Sequence, residues 1–169
     1  MSKLHIGCGY KKLDGWINVD KDPECKPDLC FDLTQPDWPI EDSTIDEAMA
    51  EHILEHLEGT EGYLTFWKEL YRVCKNGAEI KIEVPHWKHD TFIHDPTHCR
   101  AVTPVGIAMF DQARNENDRV NNGRETKLGF MCHVDFELHT VNYGFDNING
   151  EPMVCYYITK AIKPCRYKK

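Results

Sequence analysis

The segment Leu4-His5-Ile6-Gly7-Cys8-Gly9 is a short apolar run that ends at a glycine turn, and it is the clearest indication of the fold class. The same pattern returns at Trp16–Val19, which stops at Asp20. Further runs are Leu29-Cys30-Phe31 before Asp32, Ile45–Ala50 before Glu51 and His52, and Ala78–Val84 before Pro85. Short strands that end in glycine or a carboxylate are typical of an open α/β sheet, whose ligand lies at the carboxyl ends of the strands. Residues at those ends are therefore the first candidates for a binding site.

One strongly amphipathic helix is predicted between the fourth and fifth of these strands. Apolar side chains recur at three- and four-residue steps from Tyr63 to Cys74, the spacing of a single helix face. Thr60 is the expected N-cap, and Asn76-Gly77 the expected left-handed end. The helix then serves as a crossover between two strands of the sheet.

The second half of the chain shows a different pattern. Thr103-Pro104 begins a short apolar helix, with threonine as cap and proline at the first position. Residues 111–127 hold few apolar side chains and predict a mobile loop, so Thr103–Lys127 is expected to be a flexible cover that orders when substrate binds. Phe136–Tyr143 and Met153–Ile162 predict an antiparallel hairpin that joins the edge of the sheet.

Composition limits the class of protein. With 169 residues, 41% of them hydrophobic, the chain fits one globular domain. No apolar stretch approaches the roughly 18 residues of a membrane-spanning helix, and the first residues lack the apolar core of a secretory signal. The eight cysteines are therefore expected to be reduced, in the cytoplasm, and no Cys-x-x-Cys spacing indicates a structural zinc site.

Charge argues against a polyanionic partner. The formal net charge of −8 disfavours binding to nucleic acid, which would need a local basic patch. The nearest candidate is the C-terminal segment, which we interpret as a solvated end; its basic residues are Lys160, Lys163, Arg166, Lys168 and Lys169.

The glycine turn and the carboxylates after it favour a nucleoside ligand without phosphate. Gly7-Cys8-Gly9 allows positive φ angles and a close approach of backbone to ligand. A dinucleotide site would also need a glycine where Lys12 stands, so a diphosphate cofactor is disfavoured. Asp20 can accept hydrogen bonds from a ribose diol, and Asp32 from an adenine amino group. Taken singly each is a common turn or capping aspartate, but at consecutive strand ends they favour a ligand.

These segments resemble the successive motifs of class I S-adenosylmethionine-dependent methyltransferases. The resemblance spans residues 3–85 and also takes in Ile45-Asp46-Glu47, Glu51–Leu57 and Leu70–Gly77. It implies a Rossmann-like, mostly parallel sheet and S-adenosylmethionine as cofactor. By resemblance, Gly7, Cys8 and Gly9 line the methionine and ribose portions, Asp20 holds the ribose hydroxyls, Asp32 and Leu33 frame the adenine, and Glu51 and His52 border the methionine end.

The chain departs from the family pattern near its start. His5 stands where many members carry an acid, and Lys11 stands where a third glycine is expected. Only Tyr10–Gly15 separates the glycine turn from the second strand, so an irregular connection must replace the usual first helix. We therefore expect one compact domain with a cofactor-binding half (3–85), a substrate loop or lid (86–127) and C-terminal strands (128–169).

A cluster of histidines and carboxylates follows the fifth strand, and it has three interpretations. As a catalytic base it would remove a proton from an acceptor hydroxyl, since histidine titrates near neutrality and a carboxylate can raise its basicity. It could instead bind a divalent metal, or merely cap turns. Spacing does not decide among these, and no metal site is assigned. The candidates for the base are His86, His94, Asp95 and His98.

The expected activity is transfer of a methyl group from S-adenosylmethionine to a small or saccharide-like acceptor, of the kind used in sugar or cell-envelope chemistry. One alternative is a module that binds the cofactor or a partner without chemistry. Another is a methyltransferase that acts on protein or nucleic acid, of which the negative charge disfavours the latter. The oligomeric state is not predicted.

Overall fold

The computed structural model describes residues 1–167 of the chain. Its strands are β1 Ser2–Ile6, β2 Ile17–Asp20, β3 Leu29–Cys30, β4 Ile45–Glu51, β5 Cys74–Pro85, β6 Phe136–Phe145 and β7 Pro152–Ala161. Its α-helices are α1 Thr60–Val73, α2 Asp90–Ile93, α3 Pro104–Ala108, α4 Gln112–Val120 and α5 Leu128–Cys132. Two 3-10 turns cover Pro23–Cys25 and Leu54–His56.

The strands form one mixed sheet in the order β3-β2-β1-β4-β5-β7-β6. Strands β1 to β5 pair in parallel, whereas β7 pairs antiparallel with both β5 and β6. Each predicted strand is present, and the terminal hairpin is joined to the sheet as expected. The predicted fold class, a Rossmann-like and mostly parallel sheet with a C-terminal antiparallel hairpin, is confirmed.

The connection from β1 to β2 contains no helix, as the spacing predicted. Buried Asn18 organises this connection: its Oδ1 accepts from the Leu13 amide at 2.8 Å, and its Nδ2 donates to the Leu13 carbonyl at 3.1 Å. The Cys8 amide donates to the Val19 carbonyl at 2.9 Å, which keeps the glycine turn against the end of β2. The buried Asn18 side chain therefore holds the connection between β1 and β2 in place of the usual crossover helix.

Helix α1 has the predicted buried face but different ends. Trp67 stacks on Phe110 with ring centroids 4.5 Å apart, so α1 packs into the main core. The expected Thr60 cap is wrong, since the helix starts after Gly59 at a φ of 67° without a side-chain cap. The Asn76-Gly77 end is also wrong, because β5 begins directly at Cys74. The amides of residues 43 and 44 donate to the last helical carbonyls, so no glycine cap is needed.

The mobile loop expected at residues 111–127 is wrong, because this stretch contains α4. It packs through polar groups: Gln112 and Asn115 are buried, and the Asn115 amide donates to the Met109 carbonyl at 2.9 Å. The backbone amide of Gln112 donates to the side chain of Asp135, just before β6. The start of β6 lies opposite the end of β7, and the end of β7 lies opposite the start of β5. Helix α4 therefore lies near the amino end of β5, away from its carboxyl end. The position of α4 does not fit the expected cover over the carboxyl end of β5.

Two basic residues of the C-terminal segment, Lys163 and Arg166, are held against the fold by hydrogen bonds and ion pairs rather than solvated. Arg166 lies 2.8 Å from buried Asp135 and 2.6 Å from Asp111, and Lys163 donates to the Arg72 carbonyl at 2.9 Å. Lys168 and Lys169 lie outside the described residues. Within residues 1–167, no helix combines the length and the apolar character that crossing a membrane requires.

Candidate functional site

The sheet has its switch point between β1 and β4. From β1 the chain moves outward to β2 and β3, then returns to β4 and continues to β5 on the other side. Ligands of open α/β sheets bind in the crevice at the carboxyl ends of such strands. Gly7, Asp20 and His52 stand at three of these ends.

A cleft of about 200 Å³ opens at this point, and we call it the glycine-turn cleft. Gly7 has a φ of +69°, and a Cβ on it would overlap the Ile53 side chain. A larger residue at this position would therefore need both a strained backbone and a displaced wall. The cleft is lined by Gly7, Asp20, Lys21, Asp32, Leu33, Thr34, Ile53, His56, Leu57 and Glu58.

The Asp20 carboxylate is held by backbone amides on the wall of this cleft. Its Oδ2 accepts from the Gly9 amide at 2.8 Å, and its Oδ1 accepts from the Asp22 amide at 2.9 Å. Each carboxylate oxygen has a further lone pair, so the group can still accept hydrogen bonds from a ligand. Asp32 is oriented in a similar way, since its Oδ1 accepts from the amide and the hydroxyl of Thr34, each at 2.8 Å.

The structure separates the predicted cofactor residues into two groups. Gly7, Asp20, Asp32 and Leu33 line the cleft, and Gly9 contributes by orienting Asp20. Cys8 does not line it: its side chain is buried, and burial raises the pKa of its thiol. Glu51 and His52 also lie outside the lining, and Glu51 pairs with Lys11 at 3.0 Å.

A second cavity of about 540 Å³ lies beside the cleft, and we call it the histidine cavity. His56 lines both spaces, so they share one side chain as a wall. The histidine cavity is lined by His52, His56, Glu83, Pro85, Thr91, Asp95, His98, Met153, Val154 and Tyr156. The glycine-turn cleft and the histidine cavity could therefore hold two ligands side by side.

His52 lies between two carboxylates at the rim of the histidine cavity. It has a φ of 53°, and its ring nitrogens lie 3.4 Å from Glu55 and 3.3 Å from Glu83. The Glu55 carboxylate, and then Glu83, raise the pKa of His52 above its ordinary value, while burial opposes the shift. The positive φ is a sparsely populated conformation for histidine, of the kind that clusters at functional sites.

A hydrogen-bonded chain fixes the polar groups of the loop after β5. The Thr97 hydroxyl donates to Asp95 Oδ1 at 2.6 Å, and its amide donates to the same atom at 2.8 Å. These bonds lower the pKa of Asp95. Thr97 Oγ1 also lies 2.9 Å from His56 Nδ1, and His98 Nδ1 donates to the Phe92 carbonyl at 2.8 Å.

The four residues predicted as the catalytic base fall into two groups. Asp95 and His98 line the histidine cavity, whereas His86 and His94 lie outside its lining. His86 is buried and stacks on Trp87 with ring centroids 4.1 Å apart; burial first, and then Lys88 and His89, lower its pKa. His94 is exposed at the end of α2.

Sequence reasoning missed His56, although it stands within the Glu51–Leu57 segment that carried the family resemblance. Its place in a 3-10 turn directly after β4 was the available signal, because that turn follows a strand end at the switch point. Its partner Thr97 comes from a loop 41 residues later, and sequence spacing does not reveal that contact.

Comparison with known proteins shows the fold. No family model and no curated protein matches the chain. A SAM-dependent methyltransferase from Archaeoglobus fulgidus is 18% identical with a TM-score of 0.59, over 94% of this chain and 85% of that one. The 1,6-didemethyltoxoflavin-N1-methyltransferase of Burkholderia thailandensis, solved with S-adenosylhomocysteine, is 12% identical with a TM-score of 0.57, over 95% and 71%. The chain thus has the fold of the class I S-adenosylmethionine-dependent methyltransferases.

The same fold also carries a different reaction. The [4+2]-cyclase SpnF is 13% identical with a TM-score of 0.61, over 95% of this chain and 75% of that one. The fold alone therefore does not determine the reaction, which depends on the residues of the site.

Proposed function

We propose that this protein transfers a methyl group from S-adenosylmethionine to a hydroxyl group of a small or saccharide-like acceptor. The observation that carries the proposal is the Asp20 carboxylate, held by the Gly9 and Asp22 amides on the wall of the glycine-turn cleft. When bound, S-adenosylmethionine supplies a methyl group on a sulfonium, which is an electrophile without any phosphate.

The residues of the cleft fit a nucleoside of that kind. Asp20 would accept hydrogen bonds from the ribose hydroxyls, and Asp32 would accept from the adenine amino group, with Leu33 providing apolar contact. The three carboxylates in this lining, Asp20, Asp32 and Glu58, outnumber its one lysine, Lys21, so the cleft would disfavour a phosphate and tolerate a cation. The cofactor predicted from the sequence therefore agrees with the chemistry of this lining. Of the two residues expected at the methionine end, His52 would act from the histidine cavity, whereas Glu51 lines neither space.

The histidine cavity would hold the acceptor. Its lining combines carboxylates, imidazoles and the Tyr156 ring, and contains no lysine or arginine among the described residues. An anionic acceptor would find no countercharge there, so a neutral hydroxyl compound is favoured over a phosphate or a nucleic acid. Arg100, a possible anchor for an anionic acceptor, instead donates to the Leu57 and Gly59 carbonyls at 2.8 Å and 2.9 Å.

Methyl transfer to oxygen needs orientation, exclusion of water and loss of the hydroxyl proton. Bound S-adenosylmethionine would supply the methyl group and leave as S-adenosylhomocysteine, and the acceptor hydroxyl would give its proton to a residue of the histidine cavity. Asp95 and His98 line the histidine cavity and are therefore the candidates to take the acceptor proton. His86 and His94, also candidates from the sequence, would have to act from outside the lining.

Product analysis tests this proposal. Purified protein is incubated with S-adenosylmethionine and a panel of hydroxylated acceptors that includes saccharides, and both S-adenosylhomocysteine and methylated product are measured. His98→Ala should lower turnover by at least tenfold without weakening cofactor binding, whereas the exposed control His94→Ala should retain it. Cofactor binding without product across the whole panel would instead favour the non-catalytic binding module.

A further inference from the structure

A second chemical feature lies at the wall shared by the two cavities. One ligand-capable atom from each of Glu55, His56 and His98 lies within 4.8 Å of the other two. The 3-10 turn Leu54–His56 supplies the first two, and the loop after α2 supplies the third. The Cys99 amide donates to the Glu55 carbonyl at 2.9 Å, which ties that loop to the turn.

The Glu55 carboxylate is buried without a hydrogen-bond partner. Its side chain is 1% exposed, and neither carboxylate oxygen has a hydrogen-bond partner within residues 1–167. The Nδ1 atom of His52, half-exposed, lies 3.4 Å away and does not make a hydrogen bond. A buried carboxylate is costly unless it is paired with a cation or coordinates one. The ion-pair partner of Glu55 is thus a half-exposed imidazole that makes no hydrogen bond to it, and both carboxylate oxygens remain free to coordinate a cation.

The tautomer of His56 is set by its neighbour. Because the Thr97 hydroxyl already donates its proton to Asp95 at 2.6 Å, its oxygen can only accept from His56 Nδ1, which lies 2.9 Å away. His56 therefore carries its proton on Nδ1 and presents a lone pair on Nε2. An outer partner that fixes a ring in this way is the usual arrangement around metal-bound histidine.

The same logic applies to His98. Its Nδ1 lies 2.8 Å from the Phe92 carbonyl, which can only accept, so Nδ1 carries a proton. In the neutral ring the lone pair is then on Nε2, which lies 3.7 Å from the Asp95 carboxylate. The two imidazole rings are 4.6 Å apart between centroids and inclined at 63°. The cluster thus combines two imidazoles, each with an Nε2 lone pair in its neutral form, and one buried carboxylate that has no hydrogen-bond partner.

We infer that Glu55, His56 and His98 form a binding site for a divalent transition-metal ion such as Zn²⁺. Two neutral imidazoles and a carboxylate are the ligand set of an open zinc site, in which a further position stays free. Mg²⁺ and Ca²⁺ prefer ligand sets made of oxygen only and are disfavoured. Binding would draw the three groups together and neutralise Glu55. Because His56 and His98 line the histidine cavity, the free position would face that cavity.

The role of the ion rests on the proposed function. An acceptor oxygen at the free coordination position would have its pKa lowered, which assists loss of its proton. In this arrangement His98 serves turnover as a metal ligand, and binding of the nucleoside at Asp20 does not require the ion.

Calorimetric titration with Zn²⁺ tests the site on the full chain under reducing conditions. We expect one equivalent to bind to the wild type, with affinity at least tenfold lower in Glu55→Gln and His98→Ala. Thr97→Val should also weaken binding, because it removes the outer partner without touching a ligand. The matched control is His139→Ala, an exposed histidine outside the cluster. Mg²⁺ should not compete.

Cobalt spectroscopy separates this site from the eight thiols. Co²⁺ bound by Glu55, His56 and His98 should give visible d–d bands without a thiolate charge-transfer band, and Cys99→Ser should not change them. Wild-type affinity in both Glu55→Gln and His98→Ala, or loss of binding in Cys99→Ser, would overturn the inference. If Glu55→Gln fails to fold, His98→Ala and Thr97→Val decide alone.

Binding of S-adenosylhomocysteine is measured in the same variants. Retained nucleoside binding together with lost Zn²⁺ binding supports the metal site. Retained nucleoside binding with unchanged Zn²⁺ affinity overturns the metal site and leaves the proposed function standing. Absence of nucleoside binding in the wild type, with Zn²⁺ bound, would refute the proposed function and leave the metal site standing.

Discussion

Removal of the Asp20 carboxylate should weaken binding of S-adenosylhomocysteine. The group sits ready in the cleft because two backbone amides orient it, at 2.8 Å and 2.9 Å. A hydrogen bond to a charged group contributes about 1.5–3 kcal/mol, and partial exposure reduces this value. Asp20→Ala should therefore cost about 2 kcal/mol, which is roughly a thirtyfold rise in Kd.

Isothermal titration calorimetry measures this change, and a nucleoside pair identifies its cause. Adenosine should bind the wild type more tightly than 2′,3′-dideoxyadenosine, which lacks the ribose diol. In Asp20→Ala that difference should vanish, because the diol has lost its acceptor. The exposed Asp14→Ala serves as control for the removal of one negative charge.

The variant also leaves the Gly9 and Asp22 amides without their acceptor, so its Tm must be compared with that of the wild type. If the variant folds and its Kd for S-adenosylhomocysteine rises less than threefold, Asp20 does not hold the ribose. The same conclusion follows if the preference for adenosine over the dideoxy compound persists in the variant.

Three further results are expected. His98→Ala should lower methyl transfer at least tenfold with an unchanged Kd for S-adenosylhomocysteine; an unchanged rate would remove His98 from the reaction. Gly7→Ala should destabilise the fold by about 1–3 kcal/mol, because its φ of +69° and the Ile53 side chain both oppose a Cβ, and a Tm equal to that of the wild type would contradict this. In the metal-free protein, NMR titration should place the pKa of His52 above its ordinary value, chiefly because of Glu55, and Glu55→Gln should lower it. Since the folded-state pKa is raised, the stability contributed by protonated His52 is complete below its unfolded pKa and is lost as pH rises through the folded one; a pKa unchanged by Glu55→Gln would refute this cause.

Most of the sheet could be predicted because its signals are local. An apolar run that ends at a glycine or a carboxylate, as at Gly7 and Asp20, reports both the strand and the edge where it stops. The absence of a first crossover helix followed from the short connection between β1 and β2, Tyr10–Gly15. The ends of α1 were wrong because its last carbonyls are satisfied by amides from residues 43 and 44, which local sequence does not reveal.

The site could be predicted only in part, because it depends on contacts between distant segments. Residues 111–127 look like a loop by hydropathy, but buried hydrogen bonds from Gln112 and Asn115 hold a helix there. The predicted bases lie within thirteen positions of each other in sequence, and only Asp95 and His98 reach the cavity.

The positions of the strands along the chain, the glycine turn and the carboxylates at strand ends can be inferred from local sequence, because backbone conformation and apolar periodicity are properties of neighbouring residues. Folding, in contrast, buries Glu55 without a hydrogen-bond partner and brings His98, 43 positions away, beside it. Desolvation and the fixing of a proton on one ring nitrogen depend on groups that packing brings together, and no local pattern records them.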